Sequence, residues 1–144
     1  GSWGSGNGKF HWLSHAAVAA SGTVYVADGG NHRVQYFTPT GSFLGKWGSR
    51  DGAGAGISLA SDGTVFITGN ERVLYFTSSG SFLGSFGKWG EGPGEFWGAC
   101  DLAVTEDGRR LYVADHSNFR VQNFDQTIPA VVPDSLGRVK ALFK

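Results

Sequence analysis

The sequence is poor in the features that mark several large classes of protein. It holds a single cysteine, Cys100, so no internal disulfide and no secretory disulfide framework is possible. It has no methionine and begins Gly-Ser-Trp, so Gly1 and Ser2 read as a cloning scar, and no signal peptide is visible. No apolar run approaches the roughly 18 residues of a membrane helix. Charge of one sign is not in excess: twelve basic residues balance twelve acidic ones, which leaves no electrostatic argument for a nucleic acid or an anionic membrane. No segment sustains a 3.6-residue apolar period, which argues against helices.

Glycine, by contrast, is abundant. Its 24 copies follow no strict third-residue period, which excludes collagen, and they cluster between apolar runs where turns need positive φ. With 40% hydrophobic and 17% charged residues, a packed core is expected. The chain also repeats itself. TVYVADGGNHRVQYFTPTGSFLGKWG begins at Thr23, TVFITGNERVLYFTSSGSFLGSFG at Thr64 and RLYVADHSNFRVQNFD at Arg110. The GSFLG runs at Gly41 and Gly80 are 39 residues apart, and WGSGNGKF from Trp3 returns as WGEGPGEF from Trp89. A period of about 40–50 residues points to propeller blades or another repeat array.

Within each unit, short runs rich in Val, Tyr, Phe and Thr alternate with turn residues, which predicts strands. The first unit gives His15–Ala19, Thr23–Ala27, Arg33–Thr38 and Ser42–Trp47. The second gives Gly56–Ala60, Thr64–Thr68, Arg72–Thr77 and Ser81–Phe86. The third gives Asp101–Thr105, Arg110–Ala114, Arg120–Asp125 and Val139–Phe143. Ser21-Gly22, Asp62-Gly63 and Asp107-Gly108 suit tight hairpins. After Asp125 the GSFLG turn is missing. Pro129 and Pro133 bar a central strand there, so a long loop, a turn at Asp134–Gly137 and a returning outer strand are expected, with a short terminal helix as the alternative. The expected fold is all-β: one domain, residues 1–144, of three four-stranded propeller blades at about 10–48, 53–88 and 96–144.

YVADGGNHRVQYF and YVADHSNFRVQNF resemble the signature of the NHL-repeat family, and the AVAASG and LAVTEDG runs and the two Trp-Gly linkers are similar to its other motifs. The second unit departs, with GNER in place of the Asp-x-x-Asn-x-Arg pattern, and the tail after Asp125 matches nothing in it. The resemblance implies a β-propeller, usually six-bladed, in a family that ranges from protein and RNA binders to a peptide-amidating lyase. The lyase's zinc-binding histidines do not carry over: His15 is offset by one position, and the other units offer no matching His. No cofactor or metal is expected. Three blades do not close a ring, and propellers run from about 4 to 8 blades. A homodimer making a six-bladed ring is therefore expected, with a longer truncated chain as the alternative.

His15 and Asp101 each stand seven residues before a turn glycine, at the starts of channel-lining strands, and Cys100 precedes Asp101. In a dimer they would ring the channel mouth. A polar rim is the favoured reading over a metal or anion site, because no metal-ligand spacing is present. Asn31, His32, His116 and Asn118 lie in the loops at the same rim, and Trp12 and Trp97 stand just before first strands, where an exposed indole would anchor a partner. Asp28, Asp115, Arg33, Arg72 and Arg120 read as structural: an Asp can hold its turn and pair with the Arg that opens the next strand. Arg50–Asp51 and Glu71–Arg72 read as surface charges. The Gly-rich linkers lack the helix and the Lys-Ser/Thr of a phosphate loop, and Phe10 and Phe96 are expected to anchor them between sheets.

No catalytic constellation emerges. The reading is a non-catalytic interaction or scaffold module that self-associates and binds a protein or peptide at the channel rim. The alternatives are a lyase- or hydrolase-type enzyme with a channel-mouth site, an RNA-binding propeller, and an excised or evolutionary propeller fragment without its own ligand.

Overall fold

A computed structural model describes residues 1–48 and 55–125 and the backbone of 141–143. Two short strands, β1 (Ser2–Trp3) and β2 (Lys9–Phe10), pair in parallel within the first linker. Three four-stranded antiparallel sheets follow. The first is β3 (Leu13–Val18), β4 (Val24–Asp28), β5 (Arg33–Phe37) and β6 (Phe43–Gly48), in chain order. The second is β7 (Ile57–Leu59), β8 (Val65–Thr68), β9 (Val73–Phe76) and β10 (Phe82–Phe86). The third is β11 (Ala99–Val104), β12 (Arg110–Asp115), β13 (Arg120–Asp125) and β14 (Ala141–Phe143).

Each four-strand meander comes from tight turns at the expected glycines. Gly22, Gly63 and Gly108 all adopt positive φ and donate to Ala19, Ala60 and Thr105 respectively. The observed strands lie within two residues of the expected bounds. At the C-terminus, β14 pairs with β13 through Asn123–Phe143 and Phe124–Ala141, so the outer strand forms there and not the helix. The expected loop and turn between Asp125 and β14, and the Arg50–Asp51 pair, lie outside the described residues.

The sheets pack face to face, with two apolar cores between them. Tyr25, Ala27 and Val34 of the first sheet meet Ile57, Val65, Ile67, Leu74 and Phe76 of the second. Phe66 and Val73 of the second meet Leu102, Leu111, Val113 and Phe124 of the third. The second sheet is therefore buried on both faces, as the unbroken burial of β8 shows. Phe96, from the second Trp-Gly linker, is fully buried between Phe86 and Phe124. Its counterpart Phe10 meets the Phe37 ring of the first sheet, with no described sheet on its other side.

Candidate rim and channel-mouth site

The best-built site lies at the rim that carries the second-to-third-strand turns. Asp28 ends β4 and Arg33 opens β5, and a three-residue 3-10 turn, Gly29–Asn31, separates them. The two residues are direct cross-strand partners, and Arg33 Nε donates to Asp28 Oδ2 at 2.7 Å. The carboxylate, fully buried, also accepts from the His11 N–H at 2.8 Å, the Asn31 amide at 2.9 Å and the Gln35 amide at 3.2 Å. Arg33 spends its other nitrogens on the linker: it donates to the Ser5, Gly6 and Lys9 carbonyls at 2.6, 2.9 and 2.8 Å. Gln35 donates to the Lys9 carbonyl and accepts from the Gly8 N–H.

The third sheet repeats this clamp bond for bond. Asp115 accepts from the Trp97 N–H, the Asn118 amide, Arg120 Nε and the Gln122 amide. Arg120 reaches the Gly92 and Glu95 carbonyls, both at 2.8 Å, and Gln122 bonds Gly94 and Glu95. Burial pushes both carboxyls up, yet the converging N–H groups and guanidinium outweigh it and hold Asp28 and Asp115 below the ordinary carboxylate range. In the second sheet Gly69 stands where the Asp does and Leu74 where the Gln does, while Arg72 remains just before β9. Among the described residues the expected Asp–Arg motif therefore forms a linker clamp in the first and third units. Gln35 and Gln122 are members that the sequence reading did not single out, although RVQ against RVL was their signal.

The side-chain nitrogens of Asn31 and Asn118 are turned inward, onto the clamp carboxylate and the carbonyls of Gly4 and Gly90, so both residues brace the turn. His32 and His116 are exposed beside them. Phe119, which takes the place of His32, is 94% exposed, and both adopt left-handed φ. Trp12 shares that conformation at φ 51 and is 81% exposed. Aligning the linkers puts Trp12 opposite Gly98 and Trp97 opposite His11. Trp12 thus places an indole where the repeat uses a glycine, a conformation that costs a side-chain-bearing residue about 1–2 kcal/mol. Trp3, His11 and Trp12 form one ring cluster, with centroids 5.8 and 5.3 Å apart, and Trp89 and Trp97 form another at 6.3 Å.

At the channel mouth the structure joins His15 and Asp101 directly, within one chain. His15 Nε2 lies 3.5 Å from Asp101 Oδ2, and Nδ1 donates to the Ala55 carbonyl at 2.6 Å. The contact links the innermost strands of the first and third sheets across the second. Gly56 makes it possible: a Cβ there would lie 2.7 Å from Asp101 Cα. Cys100 does not join the pair; its thiol donates to the Ala114 carbonyl of its own sheet at 3.6 Å. Among the described residues no group of three or more His, Cys, Asp or Glu side chains could hold a metal ion.

Comparison with known proteins places this architecture. The chain aligns with Kuenenia stuttgartiensis hydrazine synthase over 79% of its length and 32% of that chain, with a TM-score of 0.66 and 13% identity. It aligns with a streptogramin B lyase over 81% of its length and 38% of that chain, with a TM-score of 0.64 and 15% identity. It thus spans about a third of the first neighbour and under two fifths of the second. The likeness defines a β-propeller fold. The NHL repeat profile matches residues 13–37, which are the first three strands of the first sheet. No curated protein sequence matches the chain.

Proposed function

We propose that the protein is a non-catalytic interaction module that completes its ring with a second copy and offers the rim to a protein or peptide. The observation that carries this reading is the unequal burial of equivalent residues. Val34 is fully buried in the first core, while Val121, its equivalent on the outer face of the third sheet, is 55% exposed. At the other end, Val18 is 64% exposed, while its equivalent Val104 packs against the second core. Each end of the arc thus carries the kind of face that forms an interface inside it. Monomers rarely leave such patches in water. Three blades per copy fit a ring of six, in which the third sheet of one copy meets the first sheet of the other, twice.

The exposed aromatics Trp3, Trp12, Trp89, Trp97 and Phe119 support binding at the rim, since aromatic side chains dominate interface energetics. A second reading, a lyase- or hydrolase-type site at the channel mouth, draws on the His15–Asp101 contact. The first is preferred because the Ala55 carbonyl engages the other ring nitrogen and ties the pair into strand packing.

Light scattering on a sizing column over a tenfold concentration range tests the proposal. The expected mass is about twice the 15.3 kDa of the chain. Val121→Asp is expected to give the single-chain mass with unchanged circular dichroism. A folded parent that stays monomeric overturns it.

A further inference from the structure

Resting on that ring closure, a second contact between the copies falls to an open cleft of about 760 Å³ at the opposite end of the third sheet from the rim. It is lined by the β11–β12 hairpin and by Arg110, Tyr112 and Asp125. Tyr112 is the equivalent of Tyr25, and Tyr25 shows what such a place receives. At the boundary between the first and second sheets, Tyr25 Oη donates to the Ser78 carbonyl at 3.0 Å, at the β9–β10 turn of the neighbouring sheet. That turn also closes on the first sheet at Gly80, where an added Cβ would lie 2.6 Å from the Trp47 indole.

The chain carries a second turn of the same build, between β5 and β6. Thr38 and Thr77 each receive a bond from the glycine three residues on, at 2.9 and 3.0 Å, and each donates to the following serine carbonyl, at 2.8 and 2.9 Å. In both, the threonine hydroxyl accepts from that serine's N–H at 3.0 Å and meets a second hydroxyl at 3.0 or 3.1 Å. Pro39 in the first turn stands where Ser78 does in the second. Pro39 lies against Gly22 of its own sheet, but the glycine end of this turn is open. Nothing lies within 4 Å of where a Cβ on Gly41 would be, although its equivalent Gly80 is covered. The Tyr112 hydroxyl and the Pro39 carbonyl have no hydrogen-bond partner among the described residues.

We infer that the cleft beside Tyr112 is the seat for the Thr38–Gly41 turn of a second copy, with Tyr112 Oη donating to the Pro39 carbonyl of that copy. An unused donor at one end of the arc then meets an unused acceptor at the other, in the arrangement already realised once inside the chain. The seat fixes the direction of closure: the outer face of the third sheet takes the leading face of the first sheet, and like faces do not meet.

The test places cysteines at two exposed positions, Arg110→Cys in the cleft and Thr40→Cys on the turn, in a Cys100→Ser background. The chain is treated with a short bismaleimide and followed by denaturing gel and light scattering. The expected result is a dimer that becomes covalent, with neither single-cysteine chain cross-linking. Separately, Tyr112→Phe is expected to weaken dimerisation about fivefold for each of the two junctions, the worth of one ordinary buried hydrogen bond. A dimer that does not cross-link overturns the seat while leaving ring closure standing. A monomeric Cys100→Ser chain overturns both.

Discussion

Replacing Asp115 by alanine removes the acceptor at the centre of the third sheet's clamp. Four donors converge on that carboxylate: the Trp97 N–H at 2.8 Å, the Asn118 amide at 2.9 Å, Arg120 Nε at 2.8 Å and the Gln122 amide at 3.1 Å. The side chain is completely buried, so water does not take its place. Removing one partner of a buried ion pair costs about 3–5 kcal/mol. Arg120 keeps the Gly92 and Glu95 carbonyls as acceptors, so its charge is not stranded and the lower end, about 3 kcal/mol, applies. Urea unfolding followed by tryptophan fluorescence, at one protein concentration, reads this as a midpoint lower by about 1–3 M, given the usual slopes. Glu91→Ala is the control. Only the backbone carbonyl of Glu91 serves the clamp, so a change within about 0.5 kcal/mol is expected. An Asp115→Ala chain as stable as that control would refute the clamp.

Acid should expose the same groups. Asp28 and Asp115 titrate below the ordinary carboxylate range in the folded protein, so the unfolded chain takes up their protons first as pH falls. Their contribution is complete above about pH 4 and is lost as pH drops through the folded values, and Asp115→Asn should flatten that decline in acid-dependent urea midpoints. Trp12→Gly relieves a left-handed φ at a position where the other linker uses glycine. It is expected to raise stability by about 1 kcal/mol while removing an exposed indole, and a loss of stability would mean that Trp12 packs in a way its exposure does not suggest. Gly56→Ala drives a methyl into the Asp101 backbone and is expected to cost about 1–3 kcal/mol. It should also part His15 from Asp101, which a shift of the His15 imidazole NMR signals would report.

The repeat period, the four-strand units and their turn glycines were legible because alternation and turn chemistry are local properties. Register within each sheet followed, since Asp28–Arg33 and Asp115–Arg120 close equivalent hairpins. The clamp was only half legible. Its Asp and Arg stand together in sequence, but their linker partners lie 24–29 residues away and contribute backbone carbonyls, which leave no mark in side-chain identity. The His15–Asp101 contact was not legible as a pair, because it depends on how tightly three innermost strands converge, and the clue is the small residue between them, Gly56. Trp12 became informative only when its φ could be set beside that of Gly98.

The replacement of the clamp Asp and Gln by Gly69 and Leu74 in the second unit follows from the same packing. The second sheet has a neighbour on each face and draws its stability from burial: Val65, Ile67 and Val73 are fully buried, and Leu74 takes a core position where the other units carry clamp glutamines. Among the described residues the first and third sheets each have one covered face, and each ties down a Gly-rich linker through a buried Asp–Arg pair. The Asp-centred clamp therefore stands, among the described residues, where apolar burial is one-sided. In the ring proposed above, this division lets an arc hold its end sheets in shape before the partner covers them. The interface would then form between two prepared faces, without the cost of ordering the linkers at the moment of association.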